Sequence, residues 1–471
     1  MLGFIGTLTL VVGGALSGAS THLGGGRWWS VPTVPVRPSV DVVVALVIFY
    51  AGLIVLARAW LRLRRDAASA GVTVGAIALV VVIWALPLLA GPPLGSRDVY
   101  AYAAQGKLAD EGFDPYIQGP SALGDDPVLE PVDPIYLDAP VLYGPVFVAV
   151  SSGVSRAATD LVVVVMVFRA IAVLGLLVTA LAVYDLAKGW GRDPVDAIVL
   201  TMANPLVLLH LVSGAHNESL MLAFLVGGVA VGRRPQLRLV GIGLCAFAAS
   251  IKMPAFFGVA FLTWPWIAES GLALATRIRR AGAATVEAFA VIALAGHFTG
   301  WGWGWVDAIT GAKPVDAYLS LTRLAGGAVQ LSAGLEGDDV LELFRVGGLA
   351  VVVVTSAFLL FRRSHHPRAL ALALLVFAVL HPTTQPWYLT WGLMLWAAAS
   401  AGEENRTFVW GCIAAAFVVL PMGPHLGHLV LDNSSRRSIA LAAAALLTLI
   451  AAGPIGARLP RPSALLAEST R

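Results

Sequence analysis

Charged residues are scarce in this sequence. Asp, Glu, Lys and Arg make up 13% of the 471 residues, whereas hydrophobic residues make up 58%. Soluble domains carry about 25% charged residues, so this composition excludes an ordinary water-soluble globule. It predicts an all-α integral membrane protein. The net charge of +3 is small, and no basic or aromatic binding face is evident, so we expect no nucleic-acid partner.

Several catalytic signatures are absent. The two cysteines, Cys245 and Cys412, lie in apolar runs and form neither a disulfide framework nor a zinc motif. No glycine-rich phosphate loop, His-rich zinc motif or Gly-x-Ser-x-Gly elbow occurs, which excludes ATP-driven and serine-nucleophile mechanisms. No two acids have obvious co-ligand spacing, although Asp133 or Asp138 could fold back towards Asp98. We therefore expect no metal and no other cofactor.

Apolar runs of membrane-spanning length fill most of the chain, and we expect about 12 to 14 transmembrane helices. Residues 1–453 are predicted to form one transmembrane domain, and residues 454–471 a cytoplasmic tail. The first run resembles a signal peptide but lacks a positive amino-terminal region, so we expect it to be retained. The predicted spans lie near 2–20, 40–58, 72–92, 159–187, 194–212, 217–232, 237–253, 254–268, 282–299, 340–361, 367–381, 385–400, 407–421 and 437–453.

Lys and Arg concentrate in one set of connections, which predicts their orientation. Cytoplasmic loops carry the excess of basic residues, so this set and both termini are expected on the cytoplasmic side of the plasma membrane. The basic connections lie near 58–65, 188–192, 233–238, 277–280 and 362–368. The opposite, extracytoplasmic side is expected to hold two long loops and two tight polar turns, at 93–142, 300–339, 213–218 and 381–386.

The loop at 93–142 contains nine acids and two bases. Pro and Gly interrupt it, but SRDVYAYAAQGKLADEG (96–112) predicts a short helix with Ser96 as N-cap and Asp98 in the first turn. Tyr102 lies one turn later on the same face. Asp98, next to Arg97, could act as a general base or bind a metal. It could equally be an ordinary acid favoured by the helix dipole.

A second polar cluster occurs in NPLVLLHLVSGAHNESLMLAF, residues 204–224. His216, Asn217 and Glu218 open a helix at the outer face, and His210 lies deeper. Ionisable groups at membrane depth are costly and mark functional sites. The alternative is a capped helix start, with Asn217 or Ser213 as N-cap.

Three cations lie within or between apolar runs. Lys252, in SIKMPAFF, needs an anion, for which a phosphate is the simplest candidate, unless it snorkels to the outer interface. Arg169 and Arg345 could pair with acids or reach lipid phosphates, and the sequence assigns them no role.

The turn in LHPTTQPWYLTWGLMLW (380–396) concentrates hydrogen-bond donors and aromatic rings. An aromatic belt would explain Trp387 and Tyr388. It does not explain the two prolines of this turn, one directly after His381 and one directly after Gln385. Indole rings also stack on sugars. We expect this turn and the three clusters above to converge, so that one extracytoplasmic cavity is lined by Asp98, His216, Lys252 and His381.

These motifs resemble those of actinobacterial polyprenol-phosphate-mannose-dependent α-(1→6)-mannosyltransferases, which are multi-span glycosyltransferases of the GT-C class. The resemblance covers about residues 70–400. The matching pieces, in order, are SRDVYAYAAQG, DPY (114–116), LYGPVF (142–147), SGAHNESLML (213–222), IKMPA (251–255) and HPTTQPWYLTW (381–391).

The resemblance implies a GT-C bundle with a large extracytoplasmic catalytic loop and short re-entrant helices. It implies inverting transfer of mannose from polyprenyl-phosphate-mannose to the 6-hydroxyl of a mannan acceptor, as in lipomannan-type lipoglycan synthesis. Asp98 occupies the place of the class's catalytic acidic residue. We expect Lys252, His381, Gln385 and Arg97 to bind the donor phosphate. Sugar hydroxyls are expected to contact Tyr102, His216, Asn217, Glu218, Trp387 and Tyr388.

Two other functions fit the same sequence. A GT-C enzyme could use another polyprenyl-linked sugar, such as an arabinofuranosyl donor, in the same groove. A polyprenol-linked sugar flippase or exporter would share the spans and buried charges but would not need a base beside the acceptor. Internal repeats, which are common in transporters, are not evident.

Overall fold

The computed structural model describes residues 1–19, 27–28, 31–32, 41–69, 71–311, 320–334, 338–421 and 423. Helices dominate these residues. A pair of two-residue antiparallel strands, β1 (Arg27–Trp28) and β2 (Val31–Pro32), sets Arg27 opposite Pro32. The prediction of an all-α membrane protein is confirmed.

Eighteen α-helices occur within the described ranges, and several are joined by short 3-10 or π-helical turns. The helices are α1 Leu2–Gly14, α2 Asp41–Ser69, α3 Val74–Ala90, α4 Asp98–Asp110, α5 Pro134–Leu137, α6 Pro145–Ala157, α7 Leu161–Gly189, α8 Pro194–Thr201, α9 Glu218–Gly232, α10 Arg238–Ala249, α11 Phe256–Ile267, α12 Leu274–Thr299, α13 Gly304–Gly311, α14 Leu321–Ala333, α15 Asp339–Arg363, α16 Ala369–Leu380, α17 Thr390–Ala399 and α18 Arg406–Phe417.

Four helices in the described ranges are long and apolar enough to cross a membrane: Val43–Ala67 within α2, α7, α12 and α15. A fifth span results if the bent pair Val207–Ser213 and α9 is counted as one. Six further apolar helices have 10–17 residues. At about 1.5 Å per residue these six fall short of a bilayer core of roughly 30 Å unless neighbouring segments complete them. The number of spans stays a prediction, and the segments 437–453 and 454–471 lie outside the described residues.

The segment predicted as a span at 194–212 is not one continuous helix. Helix α8 ends at Thr201, and a π-helix at Val207–Ser213 follows. Pro205 has no amide hydrogen to continue the helix, and the Asn204 side chain accepts a hydrogen bond from the Leu206 amide at 3.0 Å. π-Helical turns are rare in proteins overall, and those that occur are often found at functional sites.

Glycines allow α1 and α2 to approach closely. A Cβ added at Gly13 would lie 2.3 Å from the Phe49 amide nitrogen, and one at Gly52 would lie 2.5 Å from that of Leu10. Small residues permit this backbone contact between apolar helices. Any larger side chain at either glycine would force the two helices apart.

A sharp bend positions the polar residues at 216–218. The π-helix and α9 meet at 109°, and Ala215 between them has a φ of 51°. That left-handed conformation is uncommon for a residue with a Cβ and is typical of strained functional turns. The bend turns the start of α9 towards the start of α4, which packs against α6 and α7.

Candidate active site

Asp98 is the first residue of α4 and is 6% exposed. Its Oδ1 accepts a hydrogen bond from the Tyr136 hydroxyl at 3.1 Å, and its Oδ2 lies 3.4 Å from His216 Nδ1. The predicted N-cap is displaced by one residue: Arg97 occupies the cap position, and Ser96 Oγ accepts from the Asp98 amide at 3.0 Å. The backbone turn before α4 therefore fixes the direction of this carboxylate.

The environment of Asp98 favours its ionised form. Burial raises the pKa of this carboxyl, but the adjacent His216 imidazole, the charge of Lys252 and the Ser96 hydroxyl together outweigh burial and hold the pKa below its usual range. A buried carboxylate near neutral pH can accept a proton from a substrate hydroxyl. Asp98 therefore has the state that a general base requires.

Asn217 and Glu218 do not serve as a helix cap, so the simple capping alternative is wrong. Asn217 occupies the N-cap position of α9 but makes no side-chain cap bond. Its Oδ1 instead accepts from Lys252 Nζ at 3.3 Å, and Glu218 Oε1 pairs with the same ammonium. Glu218 Oε2 lies 3.9 Å from His216 Nδ1. Both polar heads are thus turned towards neighbouring helices rather than onto α9.

Lys252 is buried within the protein and paired, which does not fit a snorkelling side chain. It lies in extended backbone between α10 and the 3-10 turn Met253–Ala255 and is 8% exposed. Its ammonium lies 5.2 Å from the Tyr143 ring centre, 5.1 Å from Tyr388 and 5.9 Å from Trp391. The anion that the sequence requires is supplied within the protein, by Glu218. Three aromatic faces further stabilise the cation.

The turn at 381–388 closes the cluster from the carboxyl-terminal half of the chain. Trp387 packs on His216 with 4.0 Å between ring centres, and Tyr388 stacks on Trp391 at 4.1 Å. His381 contacts the edge of Tyr388, with 5.8 Å between ring centres. Through these rings the four residues predicted to converge, Asp98, His216, Lys252 and His381, form one continuous series of contacts.

His381 has a defined hydrogen-bonding state. Its Nδ1 accepts from the Thr383 amide at 3.1 Å, so in the neutral ring Nε2 carries the proton. Burial and the nearby charge of Lys252 lower the pKa of this imidazole to about 4. His381 is therefore a neutral hydrogen-bond donor at physiological pH rather than a cation.

Three predicted residues lie at the margin of the cluster. Arg97 interacts electrostatically with Asp133 and Tyr100. Gln385 is half-buried and precedes the 3-10 turn Pro386–Leu389. Tyr102 is fully buried, with its ring 5.5 Å from Tyr143, so it supports the wall that faces Lys252.

Sequence reasoning missed Tyr136 and Tyr143. Both follow prolines in VDPIYLDAPVLYGP, where a tyrosine after Asp-Pro at the start of a short helix was the available signal. The acids thought able to join Asp98 do not reach it: Asp133 caps α5, and Asp138 accepts from Ser121 at 2.6 Å. Tyr136, between them, makes the contact.

Several buried polar atoms of the cluster have no hydrogen-bond partner within the described part of the chain. Such atoms are rare in folded proteins and indicate a place for water or ligand. The atoms are His216 Nδ1 and Nε2, Asn217 Nδ2, Glu218 Oε2, Trp387 Nε1 and Trp391 Nε1. Among the described residues, no group of three or more His, Cys, Asp or Glu side chains could hold a metal ion.

Comparison with known proteins places the chain in an enzyme family. A model of the alpha-(1→6)-mannopyranosyltransferase N-terminal domain matches residues 1–268, and a model of the MptB C-terminal domain matches residues 319–452. No solved structure matches the chain. The class is that of hexosyltransferases embedded in the membrane. The chain belongs to the alpha-(1→6)-mannopyranosyltransferase family.

The relatives cover most of the chain. Alpha-(1→6)-mannopyranosyltransferase A of Mycobacterium tuberculosis is 29% identical, over 90% of this chain and 84% of the relative. A probable alpha-(1→6)-mannopyranosyltransferase of Mycolicibacterium smegmatis is 31% identical, over 90% and 82%. Alpha-(1→6)-mannopyranosyltransferase B of Corynebacterium glutamicum is 29% identical, over 72% and 62%. Both A and B types are therefore similar to this chain, and membership of an enzyme family favours transfer over export.

Proposed function

We propose that this protein transfers mannose, with inversion, from polyprenyl-phosphate-mannose to the 6-hydroxyl of a mannan acceptor. The observation that carries the proposal is the order of charges in one buried row. Asp98 lies at one end, His216 and Glu218 follow, and Lys252 lies at the other end. An inverting displacement needs a base and a leaving group on opposite sides of the anomeric carbon, and this row separates an anion from a cation in that way.

The base end activates the acceptor. Asp98 Oδ takes the proton of the 6-hydroxyl as that oxygen forms its bond to C1 of mannose. The Tyr136 hydroxyl and His216 hold the carboxylate in one orientation from two sides. His216 contacts Asp98 on one side and the Trp387 ring on the other, so we assign it the role of a positioning residue rather than that of a direct sugar ligand.

The cationic end receives the leaving group. The bond from C1 to the phosphate oxygen breaks, and polyprenyl phosphate keeps the electron pair. An ammonium has three N–H donors, and Glu218 and Asn217 take two of those of Lys252, so one remains for a phosphate oxygen. His381 Nε2–H supplies a neutral donor, and Gln385 and Arg97 are proposed as outer ligands of the same phosphate.

The sugar lies between the two ends. We assign its hydroxyls to Asn217 and Glu218 and its apolar face to Trp387 and Tyr388. Tyr102 contributes by supporting Tyr143 from behind. Stacking of indole on a pyranose leaves the ring edge free for polar contacts, which suits the unpartnered atoms described above.

The reaction must take place at a membrane surface, because the donor is anchored in lipid and the acceptor glycan lies in water. We place the reaction at the extracytoplasmic face of the plasma membrane, with both termini cytoplasmic, because the excess of Lys and Arg in the other set of connections predicts that those connections are cytoplasmic. The acceptor is then a growing mannan of the lipomannan type, and membrane lipids surround the helices.

The test uses proteoliposomes that contain the full chain, labelled polyprenyl-phosphate-mannose and an α-(1→6)-linked oligomannoside. We expect labelled acceptor with wild type and a loss of about 10² to 10⁴-fold with Asp98→Asn, which keeps the shape but not the basicity. Asp138→Asn, in the same loop, is the matched control and should transfer normally. Transfer from a polyprenyl-phosphate arabinofuranose donor instead, or translocation without transfer, would contradict the proposal.

A further inference from the structure

Arg169 is a buried cation on the membrane-spanning helix α7 that the reaction above does not use. It is 1% exposed, and all of its hydrogen bonds to oxygen go to backbone carbonyls. Nε and Nη2 donate to the Ser213 carbonyl at 3.1 and 2.9 Å, and Nη1 donates to those of Leu89 and Gly91 at 2.8 and 2.7 Å. The sequence left open a carboxylate or lipid phosphate partner, and within the described residues the guanidinium contacts no carboxylate.

These carbonyls belong to the carboxyl ends of two helices. Leu89 and Gly91 end α3, and Ser213 ends the π-helix. The last carbonyls of a helix lack intrahelical partners and carry its negative dipole end, so a cation is favoured at both places. Trp28 reinforces the first end: its indole nitrogen donates to Ala90 O at 2.6 Å, and its ring lies 5.5 Å from the guanidinium carbon.

Each of the two helix ends leads directly into a reactive segment. The short link PPLGSR joins Gly91 to Asp98, and Gly214–Ala215 join Ser213 to His216. Asp98 and His216 are the two residues that meet at 3.4 Å. One planar guanidinium therefore fixes both segments at once, with donors in a rigid fork that a lysine ammonium cannot reproduce.

We propose that Arg169 is a positioning residue that sets the contact between Asp98 and His216 by clamping the ends of α3 and the π-helix. It touches neither substrate nor reacting atom. This inference rests on the proposed role of Asp98 as base. It adds that the contact between Asp98 and His216 depends on an arginine buried inside the helix bundle.

The experiment is a double-mutant cycle in proteoliposomes with Arg169→Lys, His216→Gln and the double variant, each assayed for mannosyl transfer. We expect Arg169→Lys to lower kcat on the order of tenfold to a hundredfold, since misplacement by about 1 Å can cost that much, while KM for the acceptor changes less than about twofold. In the His216→Gln background the same change should have little further effect. The acid limb of the kcat/KM profile should move to higher pH in Arg169→Lys, because Asp98 loses the contact with His216 that depresses its pKa.

Arg345→Lys is the matched control, because Arg345 pairs only with Glu342 one turn before it on α15 among the contacts described. It should transfer normally. Arg169→Gln is assayed in parallel as a second, uncharged variant. Additive losses with His216→Gln, or an unmoved acid limb, would overturn the positioning role. If neither Arg169 variant accumulates as folded protein, Arg169 is a folding residue and the proposal is also rejected. The assignment of Asp98 as base is tested separately: activity retained in Asp98→Asn would contradict that assignment, whatever the result for Arg169.

Discussion

Replacement of Lys252 by methionine is expected to destabilise the protein strongly, because it leaves a buried carboxylate without its cation. Glu218 is 0% exposed and Lys252 is 8% exposed, so solvent does little to screen either charge. Removing one partner of such a pair typically costs about 3 to 5 kcal/mol. Asn217 Oδ1 loses its donor in the same variant. A loss of activity in Lys252→Met alone would therefore confuse folding with phosphate binding.

The double variant Lys252→Met/Glu218→Gln separates the two effects. It removes both charges and keeps the shapes, and replacing a whole buried pair by neutral groups is often close to neutral for stability. We expect it to recover most of the stability lost by either single variant. It should still bind polyprenyl phosphate far more weakly than wild type, because the ammonium is absent.

Stability would be followed by thermal unfolding in detergent, and binding by titration of polyprenyl phosphate into the purified protein. Arg345→Met is the control, since its partner Glu342 is 50% exposed and exposed pairs contribute at most about 1 kcal/mol. Single variants as stable as wild type would refute the buried pair. Wild-type affinity for polyprenyl phosphate in the double variant would refute Lys252 as a phosphate ligand.

Two further predictions concern the flanks of the site. Tyr136→Phe removes the hydroxyl that bonds Asp98, and we expect kcat to fall on the order of tenfold in the transfer assay, with unchanged unfolding temperature; a fall of less than twofold would remove Tyr136 from the base end. The pKa of His381 is lowered from 6.5 to about 4, so the unfolded chain binds the proton more readily. Its contribution to stability is then complete above pH 6.5 and is lost as the pH falls towards 4. In unfolding scans His381→Gln should lose less stability than wild type over that window, and parallel curves would contradict this.

The positions of helices and of polar clusters could be read from the sequence because both depend on local pattern. Apolar runs predicted thirteen of the eighteen helices in the described ranges, and the short helix α4 was predicted from its own polar pattern. Asp98 stood out as an acid in the first turn of that helix, and the cost of charges at membrane depth led to His216 and Lys252. The position of the break at Asn204–Pro205 could not be read from hydropathy, because the apolar pattern continues through it although the helix does not.

Partners across the fold could not be read in the same way. Glu218 and Lys252 are 34 residues apart, and Tyr136 and Asp98 are 38 apart, so neither pairing has a local signal. The sequence showed that Lys252 needs an anion, but not that the protein supplies it. Arg169 was harder still, because its acceptors are backbone carbonyls, which every residue carries and no side-chain pattern reveals.

The row from Asp98 to Lys252 sets two carboxylates against one ammonium, and this excess has a consequence for turnover. In the proposed reaction the donor phosphate enters with one negative charge, and its product carries a second, balanced at first by the proton on Asp98. When that proton escapes to water, the regenerated carboxylate and Glu218 face a more highly charged phosphate within a buried, poorly screened space. Deprotonation of Asp98 therefore increases the electrostatic repulsion of the polyprenyl phosphate product, and this repulsion favours product release in each cycle.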